Sequence, residues 1–61
     1  MKIIRLSKVK DTTGLGGSTI YRYVAAGRFP KPVSLGGGRI GWLEEEVLKW
    51  VSERVAERDA A

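Results

Sequence analysis

Gly14-Leu15-Gly16-Gly17-Ser18-Thr19-Ile20-Tyr21-Arg22-Tyr23-Val24-Ala25-Ala26-Gly27 is the stretch whose reading decides the fold. Closely spaced glycines give way to a run without breakers, and one more glycine ends it, which predicts a tight turn followed by a short helix. Ser18 or a glycine before it serves as N-cap, and Gly27 supplies the left-handed residue that closes the helix. At about 100° per residue Ile20 and Val24 fall on one side. Ser18, Arg22, Ala25 and Ala26 fall on the other, with Thr19 at its edge. That second side is small, lightly polar and positive, able to approach the floor of a major groove. Periodicity alone also fits an ordinary helical hairpin with Arg22 solvated. A hairpin of helices joined by a Gly-containing turn, inside a basic chain, favours helix-turn-helix.

Working outward, Ile3, Ile4 and Leu6 suit a short strand or arm. Ser7 is then the expected N-cap of a first helix over Lys8–Thr13, with Gly14 and Leu15 forming a Schellman ending that folds Leu15 back near Val9. Lys8 and Lys10 in its first turn oppose the helix dipole, a conflict that a nearby phosphate relieves. The hairpin core is Val9, Leu15, Ile20 and Val24, with Leu6 and one or both tyrosines at the margin. Beyond Gly27, Pro30 and Pro32 exclude helix. Val33-Ser34-Leu35 and Arg39-Ile40-Gly41-Trp42 read as a two-stranded ribbon turned by Gly36-Gly37-Gly38. Such a ribbon is unstable alone, so Val33, Leu35, Ile40 and Trp42 are expected to dock on the helices. Leu43 to about Arg58 is the clearest helix, with Leu43, Val47, Leu48, Trp50, Val51 and Val55 on one arc. Glu44, Glu45 and Glu46 sit in its first turn, where negative charge suits the dipole.

Sixty-one residues make a single domain with a marginal core. We read residues 1–58 as that domain and 59–61 as a tail that frays. The chain has neither cysteine nor histidine, which removes thiolate and imidazole metal sites and most nucleophile-plus-base arrangements. An enzyme is not expected, nor a cofactor. Charge is polarised along the chain: residues 1–42 hold eight bases and one acid, and residues 43–61 hold three bases and six acids. The basic part coincides with the hairpin and the glycine-rich segment after it, a footprint that suits a polyanion. No apolar run approaches the ~20 residues of a membrane span and no secretory signal is evident, so the expected location is the cytoplasm, in association with the nucleoid, with no membrane partner.

The order arm, helix, Gly-turn, helix, two-stranded wing, helix resembles the AlpA family of small phage and prophage regulators. These share a mostly α winged helix-turn-helix related to excisionases and to the DNA-binding part of MerR-type regulators. The resemblance is carried by Arg5-Leu6, Gly14-Leu15, Ser18-Thr19-Ile20-Tyr21-Arg22, Gly27-Arg28-Phe29-Pro30-Lys31-Pro32, Leu35-Gly36-Gly37, and Gly41-Trp42 running into Glu46-Val47 and Trp50. It implies double-stranded DNA binding, as a transcriptional regulator of an integrase gene, an excisionase, or both. Ser18, Thr19, Tyr21 and Arg22 match the family's recognition-helix segment, and Arg39 lies in its wing. Gly16-Gly17 and Gly38 stand where the family usually has polar or basic residues, departures that remove phosphate contacts and imply weaker or more cooperative binding.

On this reading Arg22 is the main base-edge reader and Thr19 a secondary one. Ser18, Tyr21 and first-turn amides hold phosphates. Gly37 lets the wing track the backbone, Arg39 reaches toward a minor groove, and Arg28 and Lys31 add phosphate contacts. For Arg39 a solvated hairpin charge is the alternative, and for Tyr21 and Tyr23 a place at the core rim, which we favour for Tyr23. A different class of function is a protein adaptor that recruits integrase or polymerase through the last helix. Expected partners are thus duplex DNA, with integrase or further copies of the chain beside it. Single-stranded or RNA binding is disfavoured, because Phe29, Trp42 and Trp50 are claimed by the core or its edge, leaving no stacking platform.

Overall fold

Six apolar side chains, drawn from almost every part of the chain, meet at the centre of the molecule. The computed structural model describes residues 1–61. Its elements are β1 (Ile3–Ile4), α1 (Leu6–Thr13), α2 (Gly17–Ala25), β2 (Val33–Gly36), β3 (Arg39–Leu43) and α3 (Glu44–Ala60). The core is Ile4, Val9, Ile20, Phe29, Trp42 and Val47, that is, one residue from every element except β2 and one from the α2–β2 connection. Leu6, Leu15, Tyr23, Val24, Ile40 and Trp50 pack around it. The architecture is the expected winged helix-turn-helix, mostly α with a small sheet.

The helix ends differ from expectation in instructive ways. α1 begins two residues early: Arg5 is its extended N-cap, Ser7 lies inside the first turn, and no side chain caps it. Gly14 adopts φ 73° and donates its N–H to the Lys10 carbonyl at 2.8 Å. The Leu15 N–H goes instead to Thr13 Oγ1 (3.2 Å), whose hydroxyl donates to the Val9 carbonyl (2.8 Å). This is the simple left-handed cap, because a hydroxyl intercepts the second bond of a Schellman motif. The Schellman motif occurs one helix later. Gly27, also at φ 73°, donates to Val24 at 3.1 Å and Arg28 donates to Tyr23 at 2.8 Å. At the other end of α2 the N-cap is Gly16, so of the two alternatives the glycine serves and Ser18 sits within the helix.

The ribbon is part of a three-stranded antiparallel sheet in the order β1-β3-β2. Ile3 and Ile4 pair with Leu43 and Trp42, so the N-terminal arm is a true edge strand. Its backbone also serves α3, since the Glu44 N–H at the helix start donates to the Lys2 carbonyl at 2.8 Å. β2 pairs with β3 through Val33–Gly41, Ser34–Ile40 and Gly36–Arg39, with an irregularity that accommodates Leu35. Gly41 is buried at the centre of this crossing. A Cβ there would run into the Ile3 side chain and stand 3.1 Å from the Ile4 carbonyl oxygen.

Two expected packings are corrected. Val33 and Leu35 are 39% and 44% exposed, because β2 is held chiefly by its pairing with β3 and does not pack its face on a helix, which leaves all four of its residues exposed. Ile40 and Trp42, on the central strand, do dock. Leu48 and Val55 are exposed as well. α3 spans 17 residues, two past the expected end, and reaches beyond the body of a molecule measuring 43 × 24 × 19 Å. It is not long and apolar enough to cross a membrane, nor is any other helix.

Gly41→Ala is expected to destabilise the fold by about 1–3 kcal/mol through overpacking. Gly17→Ala, whose Cβ would meet only Leu6 Cδ2 at 3.8 Å, is expected to stabilise it by about 0.5–1 kcal/mol through helix propensity. Urea unfolding midpoints of the two variants check both signs.

Candidate nucleic-acid interface

The face that α2 turns outward follows from what holds its opposite side. Ile20 is fully buried, and Tyr23 and Val24 pack against the core beside it. Ser18, Tyr21, Arg22, Ala25 and Ala26 are exposed, and Thr19 is half-buried at the edge. The two tyrosines splay to opposite flanks. Tyr23 leans on Trp50 of α3, with ring centres 6.5 Å apart, which fits the rim position favoured for it. Tyr21 lies 6.3 Å from Trp42 of β3 and keeps 46% of its surface in solvent. Arg22 stands between these flanks, with only small side chains around it on the helix.

The segment from Arg28 to Pro32 has no regular structure, yet it is pinned from two sides. Trp42 Nε1 donates to the Pro30 carbonyl at 2.9 Å, and Trp50 Nε1 donates to the Arg28 carbonyl at 2.7 Å. Phe29 fills the space between, buried and edge-on to Trp50 at 4.9 Å. Indole N–H groups in or near a core require acceptors, and here two carbonyls of this connection supply them. Sequence reasoning missed these bonds. The signal was present as two tryptophans and a Pro-rich linker whose carbonyls have no helix or ladder to join. The result is that the Arg28 and Lys31 side chains project into solvent from a fixed backbone.

The wing tip is Gly36, Gly37 and Gly38, with φ of 85°, 60° and 77°. Positive φ at both central residues is what a tight I′-type hairpin turn demands, and it leaves the tip free of side chains. Arg39 is exposed where the turn rejoins β3.

Charge completes the surface. The three ion pairs are Lys2–Glu44, Arg54–Glu57 and Arg58–Asp59, all using acids of α3. Arg5, Lys8, Lys10, Arg22, Arg28, Lys31 and Arg39 are all exposed and none is paired with a carboxylate. These are seven of the eight cations before residue 43. Unpaired exposed cations on elements that converge on one small core produce a positive potential that a polyanion can neutralise. Arg28 is the member with mixed surroundings, since it also lines an open cleft of about 910 Å³ with Glu46, Lys49, Trp50, Glu53 and Arg54. The Arg54 guanidinium lies 5.0 Å over the Trp50 ring, so that ring is covered rather than open for stacking.

A family model described as "Prophage CP4-57 regulatory protein (AlpA)" matches residues 2–55, a span that includes every strand, both hairpin helices and most of α3. The chain is 42% identical over 57 residues to "Uncharacterized protein ORF88" of Enterobacteria phage P4, covering 93% of this chain and 65% of that protein. It thus spans just under two thirds of that relative's length. It is also 39% identical over 62 residues to "DNA-binding transcriptional activator AlpA" of Escherichia coli (strain K12), covering 88% of this chain and 86% of that protein.

Trp42→Phe is expected to cost about 1–3 kcal/mol, because it leaves the half-buried Pro30 carbonyl without its donor. Trp50→Phe, at a more exposed bond, is expected to cost about 1 kcal/mol. Denaturation midpoints measure both, and hydrogen exchange at Arg28, Phe29 and Lys31 should quicken in each variant.

Proposed function

The chain belongs to the AlpA family of prophage regulatory proteins, and from that membership we propose that it is a sequence-specific double-stranded DNA-binding regulator of a phage or integrative element. The observation that carries this reading is the set of seven exposed cations, none of them in an ion pair, on the hairpin, its following segment and the wing. Residues 1–58 form the DNA-binding unit. It acts in the cytoplasm as a transcriptional regulator, an excisionase, or both, with the element's integrase as a protein partner in the second role.

In the proposed mode α2 enters the major groove. Only Ser18, Ala25 and Ala26 surround Arg22 on the outward face, so the helix axis can come close enough for the guanidinium to meet the O6 and N7 of a guanine as a bidentate pair. Thr19 contacts a neighbouring base edge. Ser18, Tyr21 and the first-turn amides, which no side chain caps, hold a phosphate at the positive end of the helix dipole. Arg28 and Lys31 take further phosphates from their pinned segment. Gly37 permits close approach of the wing backbone, and Arg39 extends toward the minor groove beside it.

Arg22→Ala is then expected to weaken cognate binding by about 1–3 kcal/mol and to flatten preference at one base position, whereas Lys31→Ala weakens all sequences alike and lowers the salt slope by about one. Titrations of cognate and random duplexes across a salt series read both. Equal loss on the two duplexes for Arg22→Ala removes Arg22 as the reader. A footprint across the protein's own genomic neighbourhood separates an operator from an excisionase array by the number and spacing of protected sites.

A further inference from the structure

Leu35 is an apolar side chain that the fold leaves uncovered near the end of the wing. It is 44% exposed, and the irregularity in β2 sets its place. Ser34 pairs with Ile40 and Gly36 with Arg39, so Leu35 is the extra residue of a bulge and stands with Gly36 opposite Arg39. Ile40 and Trp42 turn to the core, and alternation along β3 therefore turns Arg39 and Gly41 to the other face. Leu35 shares that face, since a Cβ on Gly41 would lie 3.4 Å from Leu35 Cδ1. One surface of the wing thus carries an exposed isobutyl group and an exposed guanidinium side by side, next to the turn. Arg39 is in no ion pair, and the chain holds no acid between Asp11 and Glu44.

Such a pair of side chains fits a surface that is anionic and apolar at once. Phosphates satisfy the guanidinium but offer nothing to Leu35, whereas the minor groove of a duplex offers sugar walls to one and base acceptors to the other. Its distance is right. Trp42 stands 6.3 Å from Tyr21 of α2, and Arg39 lies three residues farther along β3, about 10 Å at the rise of a strand. With the length of an arginine side chain added, that approaches the half turn, about 17 Å, between a major groove and the next minor groove. There the base pairs differ in one respect. A·T and T·A present acceptors only, while G·C adds the guanine N2 amino group. Arginine has donors only and leucine has no polar group, so the two together leave that amino group desolvated without an acceptor, a costly state for a donor. The narrow, more negative groove of A·T runs also draws an inserted arginine more strongly.

We propose that Leu35 and Arg39 make the wing a second sequence reader, one that accepts A·T and rejects G·C in the minor groove about five base pairs from the bases met by α2; this rests on the DNA-binding reading above and adds to it the sequence that the wing selects. Arg39 supplies the attraction. Leu35 supplies the discrimination, because it places methyl groups where a guanine amino group needs an acceptor. The selectivity is blind to strand, since A·T and T·A look alike from this groove. The bulge is the device that makes it possible, for in a regular ladder the extra residue would be absent and no apolar group would stand beside Leu35's present partner across the ribbon.

Selection by the full chain from a library of random duplexes tests both levels. The enriched sites are expected to share a fixed core and, about five base pairs to one side, a block in which A·T and T·A occur interchangeably. On one such site, G·C pairs placed in the block should weaken binding about tenfold. Inosine·cytosine pairs, which keep the major-groove face of G·C but lack the N2 amino group, should restore the affinity of the A·T block. Leu35→Gln, whose amide oxygen can accept from guanine N2, should shrink the tenfold ratio between the A·T and G·C duplexes to about twofold. The inosine comparison uses the wild-type chain, so it holds whatever the variant does to the fold. A library that enriches no sequence sinks the sequence-specific reading itself, and the wing's part with it. A core enriched without a flanking block, an inosine duplex as weak as the guanine one, or an undiminished ratio for Leu35→Gln leaves that reading standing and overturns the wing as a reader.

Discussion

The indole of Trp42 is the point through which this small fold is assembled. It is fully buried, it belongs to the central strand, its ring lies near Tyr21 of α2, and its N–H holds the Pro30 carbonyl. The sheet, the second hairpin helix and the segment joining them are thereby set against one another by one side chain. With only seven residues buried, each such contact is a large share of the total, since a core of this size is close to the lower limit for independent folding. Trp50 repeats the arrangement at lower burial, on the α3 side of the same segment.

Much of this was legible in the sequence, and the legible parts share a cause. α2 was readable because glycines bracket a run with one apolar edge. The wing was readable because two alternating stretches flank three glycines, and α3 because its acidic first turn leads into a long period of about 3.6. Each signal is local. What escaped depends on which element covers which. β1 is two residues long, and its strand character comes from pairing with β3. The burial of Gly41 follows from that pairing and cannot be inferred from a glycine in a strand. Leu35 and Val55 look like core by period, but period states only that a face is apolar and not that this chain supplies its cover. The Schellman motif was placed one helix too early because the Thr13 hydroxyl captures the Leu15 amide, a competition invisible in a pattern of Gly and Leu.

The outward site was legible as to residues and less so as to support. Arg22, Ser18 and Tyr21 emerge on the expected face of α2, and Arg39 emerges beside the wing turn. That Arg28 and Lys31 project from a fixed strap depends on the indole bonds, which bring together residues 12 and 22 positions apart. Arg28 also shares a cleft with Glu46 and Glu53, carboxylates that offset part of its charge.

The three helices also differ in how their amino ends are closed. α1 and α2 begin with neither an acidic residue in the first turn nor a side-chain cap, while α3 begins with three glutamates and has the Lys2 carbonyl on its first amide. Helix dipoles and formal charges are therefore sorted in the same sense, with two electrically open ends in the basic hairpin and one quenched end on the scaffold. A body sorted in this way carries a net moment as well as a net charge, so the field of a long anionic rod exerts a torque on it before any contact is made. Rotational diffusion is then biased during approach, and a larger share of collisions begins in one orientation than the area of the basic face alone would provide.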